Sequence, residues 1–191
     1  MMHSRFVITV LAAAACLAVN PVFAQDESAL IQRRHEVREM AQDALASLYE
    51  ASPRTRSVIE HAAGYGVFST FGIKLFFAGG TTGKGIVVNN RTSRQTFMKM
   101  LQVQAGLGFG ASRNRMIFVF QTERALRTFV DQGWEFSGQA NLAAAASAQG
   151  GSLAGAVSVS PGVYIYQLTD TGLAATVTLA GTKFFKDDEL N

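Results

Sequence analysis

Apolar residues recur at helical spacing between Ser28 and Ala51, where Leu30, Val37, Ala41, Ala44, Leu45 and Leu48 form one stripe. The pattern predicts a long amphipathic helix. Ser52-Pro53 ends it and predicts a second helix, with Ser52 as N-cap and Pro53 at the first position, over Arg54–Ala63 and stopping at Gly64. From Tyr65 the period changes to alternation. Lys84–Asn89 reads as a short apolar strand. In Phe97–Ala111 one face carries Phe97, Leu101, Val103, Ala105, Leu107 and Phe109, and the other Met98, Met100, Gln102, Gln104, Gly106, Gly108 and Gly110. Met116–Gln121 is a wholly apolar strand. Thr122 then caps a short helix, Glu123–Asp131, with Gly133 just beyond it. Trp134–Ala144 alternates again, and Ala143–Gly155, rich in Ala, Gly and Ser, reads as a loop or ragged edge. Val163–Leu168 and Leu173–Phe184, joined by Thr169-Asp170-Thr171-Gly172, read as a hairpin. Asp187-Asp188-Glu189 reads as a solvated tail.

Consecutive strands with short links favour a mostly antiparallel sheet, strongly curved or partly closed. Two N-terminal helices and one short internal helix would pack on its face or ends, giving an α+β fold. The 191 residues are 48% hydrophobic and 16% charged, enough apolar material for one cored domain. A net charge of +3 without a dense basic stripe argues against a nucleic-acid partner.

The beginning of the chain changes this picture. Arg5 supplies a positive start, Phe6–Val19 is an almost unbroken apolar run, and Val22-Phe23-Ala24 fits a cut before Gln25. Residues 1–24 are therefore expected to be a signal peptide. The mature part would be a single domain over 25–191, with helices in 28–63 and a sheet-rich part in 65–185. It would reside in the periplasm or against the outer membrane. Cys16, the only cysteine, lies in that leader; after the cut, disulfides, Cys-based metal sites and a Cys nucleophile all disappear. Cys16 also follows Ala13-Ala14-Ala15, which loosely matches a lipoprotein processing site without the usual large aliphatic residue, so lipidation stands as the alternative.

Candidate chemistry is sparse. Gly79-Gly80-Thr81-Thr82-Gly83-Lys84-Gly85 approaches a phosphate loop. However, Ala78 stands where the first glycine belongs, Gly85 stands where a magnesium-binding hydroxyl belongs, and a strand follows rather than a helix. A glycine-rich hairpin turn is the expectation. Gly150-Gly151-Ser152-Leu153-Ala154 nearly matches a serine nucleophile elbow, but it ends in Ala and its histidines, His35 and His61, are remote. Neither a zinc site nor an acid–base pair is built by spacing, so no enzyme, metal or cofactor is expected. Gly106, Gly108 and Gly110 clear one strand face for close packing or curvature, or for a groove that admits an acyl chain. On the first helix Arg33, Arg34 and Arg38 edge the apolar stripe, while Glu36, Glu39, Asp43 and Glu50 gather opposite. That arrangement suits a helix lying on an anionic membrane, and equally a core-facing helix whose arginine stems cover its rim.

Ser57-Val58-Ile59-Glu60-His61-Ala62-Ala63-Gly64-Tyr65-Gly66-Val67-Phe68 resembles the opening of the SYLF domain, a lipid-binding module. The resemblance continues in order through Gly80–Val88, Gly106–Phe120, Ala125–Phe129, Gly133–Ala140 and Gly172–Thr182. It implies non-catalytic binding of phosphoinositides or other anionic phospholipids, and in some eukaryotic members of actin. For an exported bacterial-type member, an envelope phospholipid is the expected ligand. Charge and position nominate Arg33, Arg34, Arg38, Lys74 and Lys84 for headgroup contact. The alternatives are an integral outer-membrane β-barrel or a structural envelope protein.

Overall fold

The structure is a computed structural model that describes residues 21–105, 109–136, 141–143, 155–170, 172–174 and 176–191. Residues 1–20 of the expected leader, with Cys16, lie outside the described residues, as do Gly106, Gly108 and Ser152. Helix α1 spans Pro21–Ala51 and so runs through the expected cut site. Its apolar stripe is buried at Val37, Ala41, Ala44 and Leu48, which places α1 on the sheet as a core helix.

Helix α2 is Thr55–His61, shorter than expected. Ser52 acts there through its carbonyl, which accepts from the Thr55 backbone N–H at 3.0 Å and hydroxyl at 2.6 Å. Gly64 does not cap this helix. It opens β1, Gly64–Leu75, where a Cβ would run into the Val88 carbonyl.

Strand β2, Ala78–Asn89, pairs with β1 along its whole length. The glycine-rich stretch expected to be a turn is therefore strand interior, and the turn falls on Phe76-Phe77, with Phe76 at φ 54°. The glycines make room instead. A Cβ at Gly85 would collide with the Phe68 ring, and one at Gly83 would press on Thr70 and Met100.

The single strand expected over Phe97–Ala111 is two: β3, Gln95–Ala105, and β4, Gly110–Phe120, on opposite sides of the β1–β2 hairpin. Helix α3, Glu123–Gln132, begins as expected, with the Thr122 hydroxyl accepting from the Ala125 N–H at 3.3 Å, and ends at Gly133, φ 68°. Then come β5, Trp134–Phe136; β6, Asn141–Ala143; β7, Val157–Ser160; and β8, Val163–Thr169. The chain continues through β9, Gly172–Leu173; β10, Thr176–Thr178; and β11, Thr182–Lys186. The long last strand expected from the sequence is thus three pieces. β9 pairs briefly with β8, and β11 crosses to β3 and β5 after a turn at Gly181, φ 66°.

The main sheet is antiparallel, in the order β5-β11-β3-β2-β1-β4-β8-β7, with β9 beside β8 and a separate β6–β10 pair. The α+β architecture of three helices on a curled antiparallel sheet is as expected. Its two end strands, β5 and β7, do not pair with each other among the described residues.

The sheet has a core on each side. One is aromatic, with Phe68, Phe118, Phe120, Phe129 and Phe184 packed ring against ring beneath α3. The other joins Val67, Ile86, Phe97, Ile117 and Tyr166 to α1. The C-terminal acids are solvated only in part: Asp188 and Glu189 are exposed as expected, but the chain around them is anchored. Asp187 and Leu190 are buried, and the Asn191 side chain both accepts from the Phe97 N–H at 2.9 Å and donates to the Phe97 carbonyl at 2.8 Å.

Burial of Tyr166 in the second core pushes its phenol up to about 12 from an ordinary 10.0. The neutral phenol is favoured in the folded state. Its contribution to stability is complete below the unfolded value and is lost as pH rises from about 10 towards 12. Alkaline unfolding followed by circular dichroism and phenolate absorbance should therefore share one midpoint, and Tyr166→Phe should move that midpoint upward.

Candidate functional site

The strand register sets out ordered rows of side chains on the α1 side of the sheet, from the rim of α1 outward. The first row carries Leu168, Arg115, Ser69, Lys84, Lys99 and Phe185, three of them cations. The next carries Arg113, Phe71, Thr82, Leu101 and Lys183. The third is Ala111, Ile73, Gly80 and Val103, after which come Leu75 and the Phe76-Phe77 turn. Cations therefore give way to apolar residues toward one end of the molecule.

These apolar side chains are not packed away. Ile73 and Leu101 are about half exposed and Leu75 more so, and Val103, Phe77 and Phe109 reach 75%, 71% and 69% exposure. Phe76 and Phe109 meet edge to face at 4.5 Å, tying the β1–β2 turn to the start of β4. Scattered exposed hydrophobics are ordinary, but a contiguous cluster at one tip marks an interaction surface.

The opposite sheet face is polar near this end yet covered. Gln102 donates to the Thr178 and Ala180 carbonyls at 3.1 and 3.2 Å, and the Thr70 hydroxyl donates to the Asn114 carbonyl at 3.1 Å. The alternation in β3 is thus inverted at its far end. Gln102 is buried, while Leu101 and Val103 face outward.

The five nominated cations do not form one cluster. Arg33 pairs with Glu189 at 2.8 Å, and this bond holds its guanidinium more firmly protonated than usual. Arg34 donates to the Leu190 carbonyl at 2.8 Å. Arg38 donates to Gln95 at 2.8 Å and lies over the Phe97 ring. Lys84 reaches Glu36 at 3.4 Å. Arg33 and Lys84 share a cleft with Lys99, itself 3.0 Å from Asp187, whereas Arg34 and Arg38 line another. Lys74 stands alone beside the hairpin turn, on the opposite sheet face.

The three arginines of α1 therefore fasten the helix to β3 and to the C-terminal residues Glu189 and Leu190. Sequence reasoning missed Leu75, Phe76, Phe77, Phe109, Arg113 and Arg115. One signal was available: Leu75-Phe76-Phe77 is an apolar run at a turn, where polar residues are the rule.

Residues 101–191 match the family model described as Ysc84, Las17-binding protein actin regulator. The match takes in Leu101, Val103, Phe109, Arg113 and Arg115. Beta cell expansion factor A from Aeromonas veronii is 27% identical over 159 residues, which are 83% of this chain and 59% of the relative. The chain thus spans about three-fifths of that relative's length.

Proposed function

We propose, from the match of residues 101–191 to the Ysc84 family model and the geometry of the sheet, that this protein is a non-catalytic lipid-binding module of the Ysc84 (SYLF) kind that docks on phospholipid bilayers through its apolar tip. The observation that carries the reading is the graded end of the sheet: an aromatic tip, then an apolar row, then arginines and lysines. A bilayer presents the matching sequence of acyl chains and anionic headgroups.

Depth follows from backbone bonding. Among the described residues, the outer edge of β4 is unpaired from Gly110 to Asn114, because β8 joins β4 only from Arg115 onward. Unpaired peptide groups do not enter hydrocarbon without a large cost. Leu75, Phe76, Phe77 and Phe109 therefore enter the acyl layer, while Arg113 stays among headgroups. Lys74 snorkels back from the turn along its own methylene stem.

This is shallow peripheral docking rather than a transmembrane barrel, in keeping with a sheet whose end strands do not meet among the described residues. Among those residues, no helix is long and apolar enough to cross a membrane. If the leader is removed as expected, the surface met first is that of the periplasm, and an envelope phospholipid is the ligand.

Vesicle flotation tests the reading. The protein should float with vesicles containing phosphatidylglycerol and less with phosphatidylcholine alone, and the emission of a Phe77→Trp variant should shift to the blue on binding. A chain that stays at the bottom of the gradient with every composition, while folded, refutes it.

A further inference from the structure

We propose that the cleft between β4 and the end of β8, beside the apolar tip, seats the phosphate of a membrane-lipid headgroup between Arg113 and Arg115. The inference rests on the docking reading above and supplies its headgroup seat. The cleft has a volume of about 470 Å³ and is lined by both arginines together with Ser69, Asn114 and Asp170.

Arg113 and Arg115 lie two residues apart on one strand, so both project from the same face, with Cα atoms about 7 Å apart. Two long guanidinium arms at that spacing can converge on one phosphate, each offering a fork of N–H donors. The Arg113 guanidinium lies 5.8 Å from the centre of the Phe71 ring. A cation–π contact at this range favours the guanidinium over the ring face and leaves its N–H groups able to donate.

Charge compensation separates this cleft from its neighbour. There, Arg33, Lys84 and Lys99 each have a carboxylate within 3.4 Å, so an arriving anion must displace a partner. Among the described residues, no carboxylate stands within ion-pair distance of Arg113 or Arg115. Among the described lining residues Asp170 is the one counter-charge, leaving the cleft with an excess of one positive charge. The seat also lies at the depth at which phosphate meets a docked tip. Arg113 is in register with Phe71, about 17 Å of strand from the Phe76 turn.

Two arms, both on the folded chain, test the seat. In the first, the arginine Nε–H resonances are followed by NMR during titration with inorganic phosphate and with glycerol phosphate. Those of Arg113 and Arg115 should move well beyond that of Arg124, an exposed arginine on α3. In the second, Arg113→Gln/Arg115→Gln should weaken binding to vesicles of phosphatidylcholine and phosphatidylglycerol by about twentyfold. Asp170→Asn should strengthen it, a change of opposite sign that general damage to the fold would not produce.

Equal shifts at all three arginines overturn the seat. Selective shifts combined with unchanged vesicle affinity in the glutamine variant overturn the lipid assignment and leave a site for free phosphate. Selective shifts in a protein that binds no vesicle also overturn the lipid assignment, and locate the failure in the docking reading rather than in the anion site.

Discussion

A chain carrying Phe76→Asn, Phe77→Ser and Phe109→Ser should remain folded and lose affinity for anionic vesicles by about thirtyfold to a thousandfold. Each phenylalanine is worth about 1.5–3 kcal/mol when fully withdrawn from water. Partial insertion of three rings at half that value already gives about 2–4 kcal/mol, a loss of one and a half to three orders of magnitude. The fold should tolerate the change because the rings are mostly exposed, Phe76 and Phe77 at 62% and 71%. Within the folded chain the substitutions remove the edge-to-face pairing of Phe76 with Phe109, worth about 1 kcal/mol. Asparagine at position 76 recovers part of this, since Phe76 sits at φ 54°, a backbone region that asparagine enters more readily than a bulky aromatic. Sedimentation equilibrium belongs beside the vesicle assay. A variant that binds vesicles like the parent, but changes from dimer to monomer, would show the tip to be a self-association surface.

The same residues show how far the sequence carries. Helical and alternating periods recovered α1, α3 and the antiparallel α+β plan, because those patterns follow local backbone geometry. Thr122 and Gly133 were legible as the ends of α3 for the same reason. The glycines of 79–85 were not, because glycine serves both turns and close packing. Only the partner strand reveals that Gly85 lies opposite Phe68. The break between β3 and β4 was hidden in an alternation that continues across it from Val103 to Phe109. The apolar face of β3 was legible as a face. Which side of it meets solvent depends on where α1 stops covering the sheet, a tertiary fact absent from the strand itself. The arginines of α1 were legible as a rim but ambiguous in role. Their partners, Glu189, Leu190 and Gln95, lie 156, 156 and 57 residues away, beyond any local pattern. Of the three C-terminal acids only Asp187 was misread, because its burial against Lys99 is another pairing between distant positions.

Phe68→Ala should be the most damaging single truncation in the aromatic core, lowering stability by about 3–5 kcal/mol. Phe68 is fully buried and meets Phe118 at 5.6 Å, Phe129 at 6.1 Å and Phe184 at 5.0 Å, each edge to face. It thereby joins β1, β4, α3 and β11 through one ring. Removing it opens a cavity lined by rigid rings that cannot collapse into the space, and the midpoint of thermal unfolding should fall by roughly 10 °C or more. Gly85→Ala should also destabilise, by about 1–3 kcal/mol, because its Cβ would meet both the Phe68 ring and the Val67 carbonyl. The two changes are coupled through the ring. In a Phe68→Ala background the methyl at position 85 faces one obstacle instead of two, so the double variant should be more stable than the sum of the single losses implies. Strict additivity in chemical denaturation would show that the backbone carbonyl alone excludes the methyl group, and that Phe68 does not require glycine at position 85.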